Sequence, residues 1–342
     1  MKQGLPKKVE IHEVVLRDGI QNEKKLIPTE EKLSLIRELA ACGVRRIEVS
    51  SFVNRSLVPQ MADAEELWER IERKRSVLYS ALILSSGGLE RAIRCRVPHV
   101  GIFVSASETH SLKNSNKSVS EALKDAVRLI GMAQDAGMKV RAGVMNAFGC
   151  AYEGHVPVTR VLKLVRAFMK RGPEEICLAD SSGLANPLQM EEVLARVRHE
   201  TADADLSLHL HNTRGQGLAN VYAALAQGVS IFDTAMGGMG GCPFIIGARG
   251  NIATEDTVGM FHGMGLKTGI DLDRLIGTSL RFEKVMGQTF PAALTHLGNE
   301  EVEKVRRLDN TPAKRLLPAS RHFIFLVLPC TLYPIPSKRA CK

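Results

Sequence analysis

The sequence predicts a TIM (β/α)8 barrel with a C-terminal extension, and three observations predict it. Strand-like apolar runs recur eight times within roughly 260 residues, each followed by a longer segment whose apolar residues return every three or four positions. Strands alternating with helices imply a parallel sheet, and eight such units fit a closed barrel. The Gly-x-Gly-x-x-Gly turn of an open, doubly wound sheet is absent after the first strand, where the chain reads RDGIQNEKK.

In order, the strand runs are VEIHEVVLRD (9–18), VRRIEVSSF (44–52), SVLYSALIL (76–84), HVGIFVSAS (99–107), MKVRAGVMNA (138–147), EEICLADSSG (174–183), DLSLHLHNT (205–213) and VSIFDTAMGG (229–238). Between them, EEKLSLIRELAACG and SVSEALKDAVRLIGMAQDAG have the helical period and close on a glycine. The barrel domain is expected over residues 5–300, and residues 301–342 form a basic tail expected to be loosely ordered or loosely docked.

Composition narrows the function class. The 342 residues are 44% hydrophobic and 24% charged, an ordinary globular balance. No apolar run approaches the roughly 20 residues of a membrane span, and the N-terminus lacks a signal-peptide core, so no membrane partner is expected. Seven cysteines without framework spacing suit a reducing cytoplasm. The net charge of +9 invites a nucleic-acid reading. However, the stretch from Glu303 onward holds nine Lys or Arg against two acids, leaving the body nearly neutral. Nucleic-acid binding asks for a basic patch on the folded body, so it is not expected.

A barrel collects its catalytic groups at the carboxyl ends of its strands. Those ends offer Arg17 and Asp18, Glu48, Asp180, and His209 with His211. Side chains two apart on a strand share a face, so His209 and His211 point into the barrel if Leu208 and Leu210 face the helices. Two imidazoles opposite the Asp18 carboxylate suit a divalent cation, although a hydrogen-bonded pair of core histidines would have the same spacing. Mixed nitrogen and oxygen donors accommodate Mg, Mn, Co or Zn. Glu48 and Asp180 are expected to support the site or handle protons.

After the eighth strand runs GGMGGCPFIIGARGNIATED (237–256), whose glycines permit a loop that folds tightly over a pocket. Cys242 in that loop is either an incidental thiol or one that moves a proton. Asn251 offers a neutral oxygen.

The motifs RDGIQNEKKLIPTEEK, IEVSSFVNRSLVPQMAD, HLHNTRGQGLAN, GGMGGCPF and GARGNIATED together resemble the 3-hydroxy-3-methylglutaryl-CoA (HMG-CoA) lyase family of metal-dependent TIM barrels, over about residues 9–298. The resemblance implies metal ligation by Asp18, His209, His211 and Asn251, with Mg2+ or Mn2+ as cofactor. It implies that Arg17 neutralises an enolate oxygen, that Cys242 is catalytic, and that Glu48, Asp180 and Glu255 support the metal and proton transfers. Gln21, Asn146 and Arg214 join Arg17 as expected substrate contacts. The implied reaction is a retro-Claisen cleavage of an acyl-CoA, HMG-CoA to acetyl-CoA and acetoacetate, as in leucine degradation, by a cytoplasmic enzyme compatible with a homodimer. The alternatives are a lyase for a related hydroxyacyl-CoA and a Claisen condensation of acetyl-CoA with a 2-oxoacid.

The chain departs from the family pattern at several points. HNTRGQ stands where HDTYGQ is usual, SSGLANP follows Asp180, SFVNRSLVPQ replaces SFVSPKWVPQ, Asn146 takes a usual serine position and Ile246 a usual proline position. These changes fall where the acyl part could be read. Arg214 is expected to pair with an acid on the rim, with a second substrate carboxylate as the other reading. The tail run FIFLVL is too short to cross a bilayer, and the prolines after it discourage a helix.

Overall fold

The structure is a computed structural model, and the residues it describes are 5–201, 204–241 and 250–297. Eight parallel strands close into a barrel in chain order. They are β1 (Glu10–Glu13), β2 (Arg46–Ser51), β3 (Leu78–Ile83), β4 (His99–Ser105), β5 (Lys139–Met145), β6 (Glu175–Asp180), β7 (Asp205–Leu210) and β8 (Ile231–Thr234). The outer ring begins with α1 (Thr29–Ala41), α2 (Ala64–Arg70), α3 (Ser86–Arg94), α4 (Glu108–Ser115) and α5 (Val119–Asp135). It continues with α6 (Val158–Met169), α7 (Pro187–Arg198), α8 (Gly217–Ala226), α9 (Thr254–Gly263) and α10 (Leu272–Met286). Among the described residues, no helix is long and apolar enough to cross a membrane.

Local sequence explains the helix ends. Ser118 and Glu121 form a reciprocal capping box that starts α5. Past α1, Gly43 has φ +97°, and a Cβ there would lie 2.1 Å from the Gly269 carbonyl oxygen, so only glycine fits.

The wall has two faces. Val100, Ile102 and Val104 of β4, Val140, Ala142 and Val144 of β5, and Leu206, Leu208 and Leu210 of β7 are buried in one apolar core with the helices. The opposite residues meet across the barrel axis, where Arg141 of β5 reaches Asp233 of β8 and Arg46 of β2 reaches Glu175 of β6. The Phe103 ring fills part of the interior, lying where a Cβ on Gly143 would be.

Two sequence expectations are corrected here. The first strand stops at Glu13 instead of running to Asp18, because its pairing to β8 ends at Thr234 and to β2 at Ile47. The chain then makes one turn of π-helix, Val15–Gly19, in which the Val14 carbonyl accepts N–H groups from Arg17, Asp18 and Gly19. Glu48 lies within β2 instead of at its end, beside a bulge between Glu48 and Ser50. Cys242, Ile246 and the tail 301–342 lie outside the described residues.

Candidate active site

His209 and His211 share the interior face of the β7 line. Their Nε2 atoms are 3.1 Å apart, and each lies 3.8 Å from Asp18 Oδ2. Among the described residues, Asp18, His209 and His211 form a group whose donor atoms all lie within 4.8 Å of one another. Ligands about 2.1 Å from one ion stand about 3.0 Å apart at right angles and about 3.4 Å apart at tetrahedral angles. The observed separations are therefore close to the edges of one coordination polyhedron.

Asn251 lies beside this group. It bridges to His211 in an isolated antiparallel pair and donates its amide from Nδ2 to Asp18 Oδ2 at 2.7 Å and to the Met239 carbonyl at 3.0 Å. Its Oδ1 is buried and has no hydrogen-bond partner among the described residues. An orphaned buried acceptor costs roughly 1–3 kcal/mol. A cation at the centre of the cluster would satisfy it, so the residues present fit a divalent ion. Burial favours the neutral form of Asp18, but Arg17, His209, His211 and the Asn251 amide outweigh it and hold the carboxylate well below its usual range.

The π-helical turn places Arg17 beside this cluster. Its Nε donates to Glu48 Oε2 at 2.5 Å and its Nη1 to Asp18 Oδ1. Burial opposes the charge on Arg17, yet Glu48 and Asp18 keep it fully ionised. The turn thus delivers a fixed cation and a fixed anion side by side.

The other expected site residues divide. Asp180 closes β6, and its two oxygens accept the N–H groups of Leu184 and Ala185 at 2.9 and 3.0 Å. Burial lifts its pKa to about 6 against those bonds and the His209 charge. Its carboxylate is therefore occupied in shaping the 180–185 turn. Asn146 is fully buried with φ +55°, its amide held between Ser105 Oγ at 3.2 Å and Ser182 Oγ at 3.0 Å. It ties the end of β4 to the segments that follow β5 and β6. Glu255 accepts the Gly237 N–H at the base of the glycine loop, and burial lifts its pKa to about 7. Gln21 is half-buried just past the π-turn. Arg214 is exposed, and no acid among the described residues forms an ion pair with it.

Sequence reading missed the support behind the histidines. Asp233 Oδ2 lies 3.0 Å from His209 Nδ1, and Arg141 Nη2 reaches Asp233 Oδ1 at 2.7 Å. The signal was present in IFDT, where the alternation that assigns His209 to the interior also assigns Asp233 there. Glu13 was missed as well. It accepts the N–H groups of Val15 and Met236 and the Thr254 hydroxyl, tying the π-turn to the base of the glycine loop.

The fold and this cluster define a (β/α)8-barrel enzyme with a group of nitrogen and oxygen donors that could hold a cation. Residues 8–280 match the HMGL-like family, and the chain belongs to that family. It is 41% identical over 287 residues to hydroxymethylglutaryl-CoA lyase YngG of Bacillus subtilis, covering 84% of this chain and 96% of the relative. It is 41% identical to the mitochondrial hydroxymethylglutaryl-CoA lyase of Macaca fascicularis, covering 80% of this chain and 84% of that one. The crystal structure of the B. subtilis HMG-CoA lyase superposes with a TM-score of 0.83 at 40% identity, over 86% of this chain and 98% of that chain. An Acinetobacter baumannii HMG-CoA lyase in complex with coenzyme A and 3-methylmalate gives a TM-score of 0.82 at 37% identity, over 85% and 95% of the two chains.

Proposed function

We propose that the protein is a divalent-metal-dependent carbon–carbon lyase that cleaves HMG-CoA to acetyl-CoA and acetoacetate. The observation that carries the reading is Arg17, fully charged and immobilised by Glu48 and Asp18, next to a cluster of donors spaced for one cation. Asp18, His209, His211 and Asn251 would hold that cation, with Mg2+ or Mn2+ as the proposed ion. Bound there, it supplies Lewis acidity that lowers the pKa of a coordinated hydroxyl and orients it.

The chain's own residues account for the rest. As a base of the site takes the proton of the tertiary hydroxyl, the O–H electrons form the new ketone and the C–C bond breaks toward the acetyl carbon. Negative charge then develops on the thioester oxygen. The Arg17 guanidinium donates to that oxygen, and because Glu48 Oε2 already fixes it, no reorganisation is needed at the moment of charge development. Cys242 Sγ is assigned the delivery of a proton to the acetyl carbon, so the net transfer runs from the hydroxyl oxygen to carbon. Asp180 acts from behind, shaping the turn whose first carbonyl accepts the His211 N–H at 3.4 Å. The cytoplasmic setting and the leucine-degradation role belong to the same proposal, supported by the free thiols of Cys42, Cys95, Cys150 and Cys177.

One observation favours a second reading. Arg214 is exposed just past β7, where a further carboxylate on a related hydroxyacyl-CoA would meet it. Incubating the protein with HMG-CoA and Mg2+ or Mn2+ is expected to yield acetoacetate, with the yield abolished by chelator and restored by metal. No product with either metal would overturn the substrate assignment. A faster rate on another thioester of a 3-hydroxyacyl panel would favour the second reading, and free thiol released from acetyl-CoA and a 2-oxoacid would favour condensation.

A further inference from the structure

The interior of the barrel carries a column of ionisable groups of alternating sign that runs away from the histidines. His209 Nδ1 meets Asp233 Oδ2 at 3.0 Å, Asp233 Oδ1 meets Arg141 Nη2 at 2.7 Å, and Arg141 Nε meets Glu175 Oε1 at 2.7 Å. Glu175 also pairs with Arg46, whose Nη1 lies 3.6 Å from the half-exposed Glu10 carboxylate. All but Glu10 are buried. We propose that Asp233, anchored by Arg141, is a positioning residue that keeps the proton of His209 on Nδ1 and so leaves Nε2 free to bind the divalent cation. This inference rests on the metal-site reading given above.

Donor and acceptor chemistry decides the link from Asp233 to His209. His12 Nδ1 lies 3.0 Å from Arg141 Nη1 and 3.3 Å from Asp233 Oδ1, and its Nε2 reaches Ser80 Oγ at 2.9 Å, so the place of its own proton does not alter that link. Asp233 is paired with that same guanidinium, and an ionised carboxylate only accepts. The ring atom of His209 facing it must therefore carry hydrogen. Its other nitrogen, Nε2, is the atom placed 3.1 Å from His211 Nε2 and 3.8 Å from Asp18 Oδ2. Glu175 Oε1 lies 2.7 Å from Arg141 Nε, an ion pair without hydrogen-bond alignment that adds opposite charge on the far side of the guanidinium. The two oxygens of Asp233 thus face different ways, Oδ1 toward Arg141 and His12 and Oδ2 toward His209. Carboxylates that orient metal-binding histidines in this way are typically worth about 10–100-fold in metal affinity.

The test measures Mn2+ affinity by the EPR signal of the free ion, alongside urea midpoints of the metal-free protein. Asp233→Asn keeps the shape but removes the charge, and it is expected to weaken Mn2+ binding about 10–100-fold. Acetoacetate formation should recover most of its maximal rate once Mn2+ is saturating. The double variant Asp233→Asn, Arg141→Met also removes the stranded guanidinium; its stability should return toward wild type while its Mn2+ affinity stays low. Either variant binding Mn2+ as tightly as wild type would overturn the proposal. Should both variants fail to fold, the long-range 1H–15N spectrum of the Mg2+-loaded wild type decides. A His209 ring protonated on Nδ1 supports the assignment, and one protonated on Nε2 contradicts it. If the wild type binds no Mn2+, the metal-site reading fails and this inference falls with it; if only the variants are unaffected, this inference alone fails.

Discussion

Outward from the wall, Val100, Ile102 and Val104 of β4 and Leu206, Leu208 and Leu210 of β7 lie in hydrocarbon against the helices. Inward, the same two strands present His99, Ser207 and His209. The outer face needs only volume and apolar area, at roughly 25 cal/mol for each Å2 removed from water. The inner face needs an opposite charge for each buried charge, because a buried pair broken on one side costs roughly 3–5 kcal/mol. The stability that the outer face contributes lets the inner face hold charges that stabilise little and orient much. Chemistry and structural strength are thus separated by the thickness of one strand.

Substitutions can break that separation or sharpen it. The largest effect is expected inside. His209→Ala should lower acetoacetate formation by at least about 1000-fold, or about 4 kcal/mol of barrier, while leaving the far-ultraviolet circular dichroism unchanged. Next is the outer layer. Phe168, fully buried on α6, should cost about 3–5 kcal/mol in urea unfolding when changed to Ala, with Mn2+ affinity unaltered in the folded fraction. A loss of metal affinity there would show that the two faces are not independent.

The third effect is a pH dependence. Burial raises Glu255 from 4.5 to about 7 and Glu13 from 4.5 to about 8, so the native state keeps protons that the unfolded chain has released. The stability linked to these groups is complete below about pH 4.5 and is lost as pH rises through 7 and 8, with a slope of at most about 1.4 kcal/mol per pH unit for each proton. Urea midpoints of metal-free protein should fall from pH 5 to 8, and Glu255→Gln should make that fall shallower. An unchanged slope in the variant would remove Glu255 from the explanation. The smallest effect is expected from Ile47→Val on the outward face of β2, about 0.5–1.5 kcal/mol with turnover unchanged.

The same two faces explain what was legible in the sequence. Periodicity reports the outer face, so the eight strands, α1 with its closing Gly43 and α5 with its Ser118 cap are readable directly. The inward direction of His209 and His211 was readable because Leu-His-Leu-His states which side each residue takes. The π-turn carrying Arg17 and Asp18 was not, because VVLRD has the composition of a strand and only the end of the β1 ladder at Glu13 stops it. Arg141, Glu175 and Asp233 escaped notice because isolated charges in apolar runs look like strand edges until the closed barrel brings β5, β6 and β8 together. Asp180 stands at a strand end as expected, but its partners in the 184–185 backbone, like the Ser182 partner of Asn146, come from a turn that periodicity does not describe.

The most direct measurement is a crystal soaked in Mn2+ and recorded at the manganese absorption edge. An anomalous peak within about 2.2 Å of Asp18 Oδ2, His209 Nε2 and His211 Nε2, with Asn251 Oδ1 turned toward it, is the expected result. No peak at saturating Mn2+, or a peak elsewhere with the two imidazoles bonded only to each other, would contradict the account.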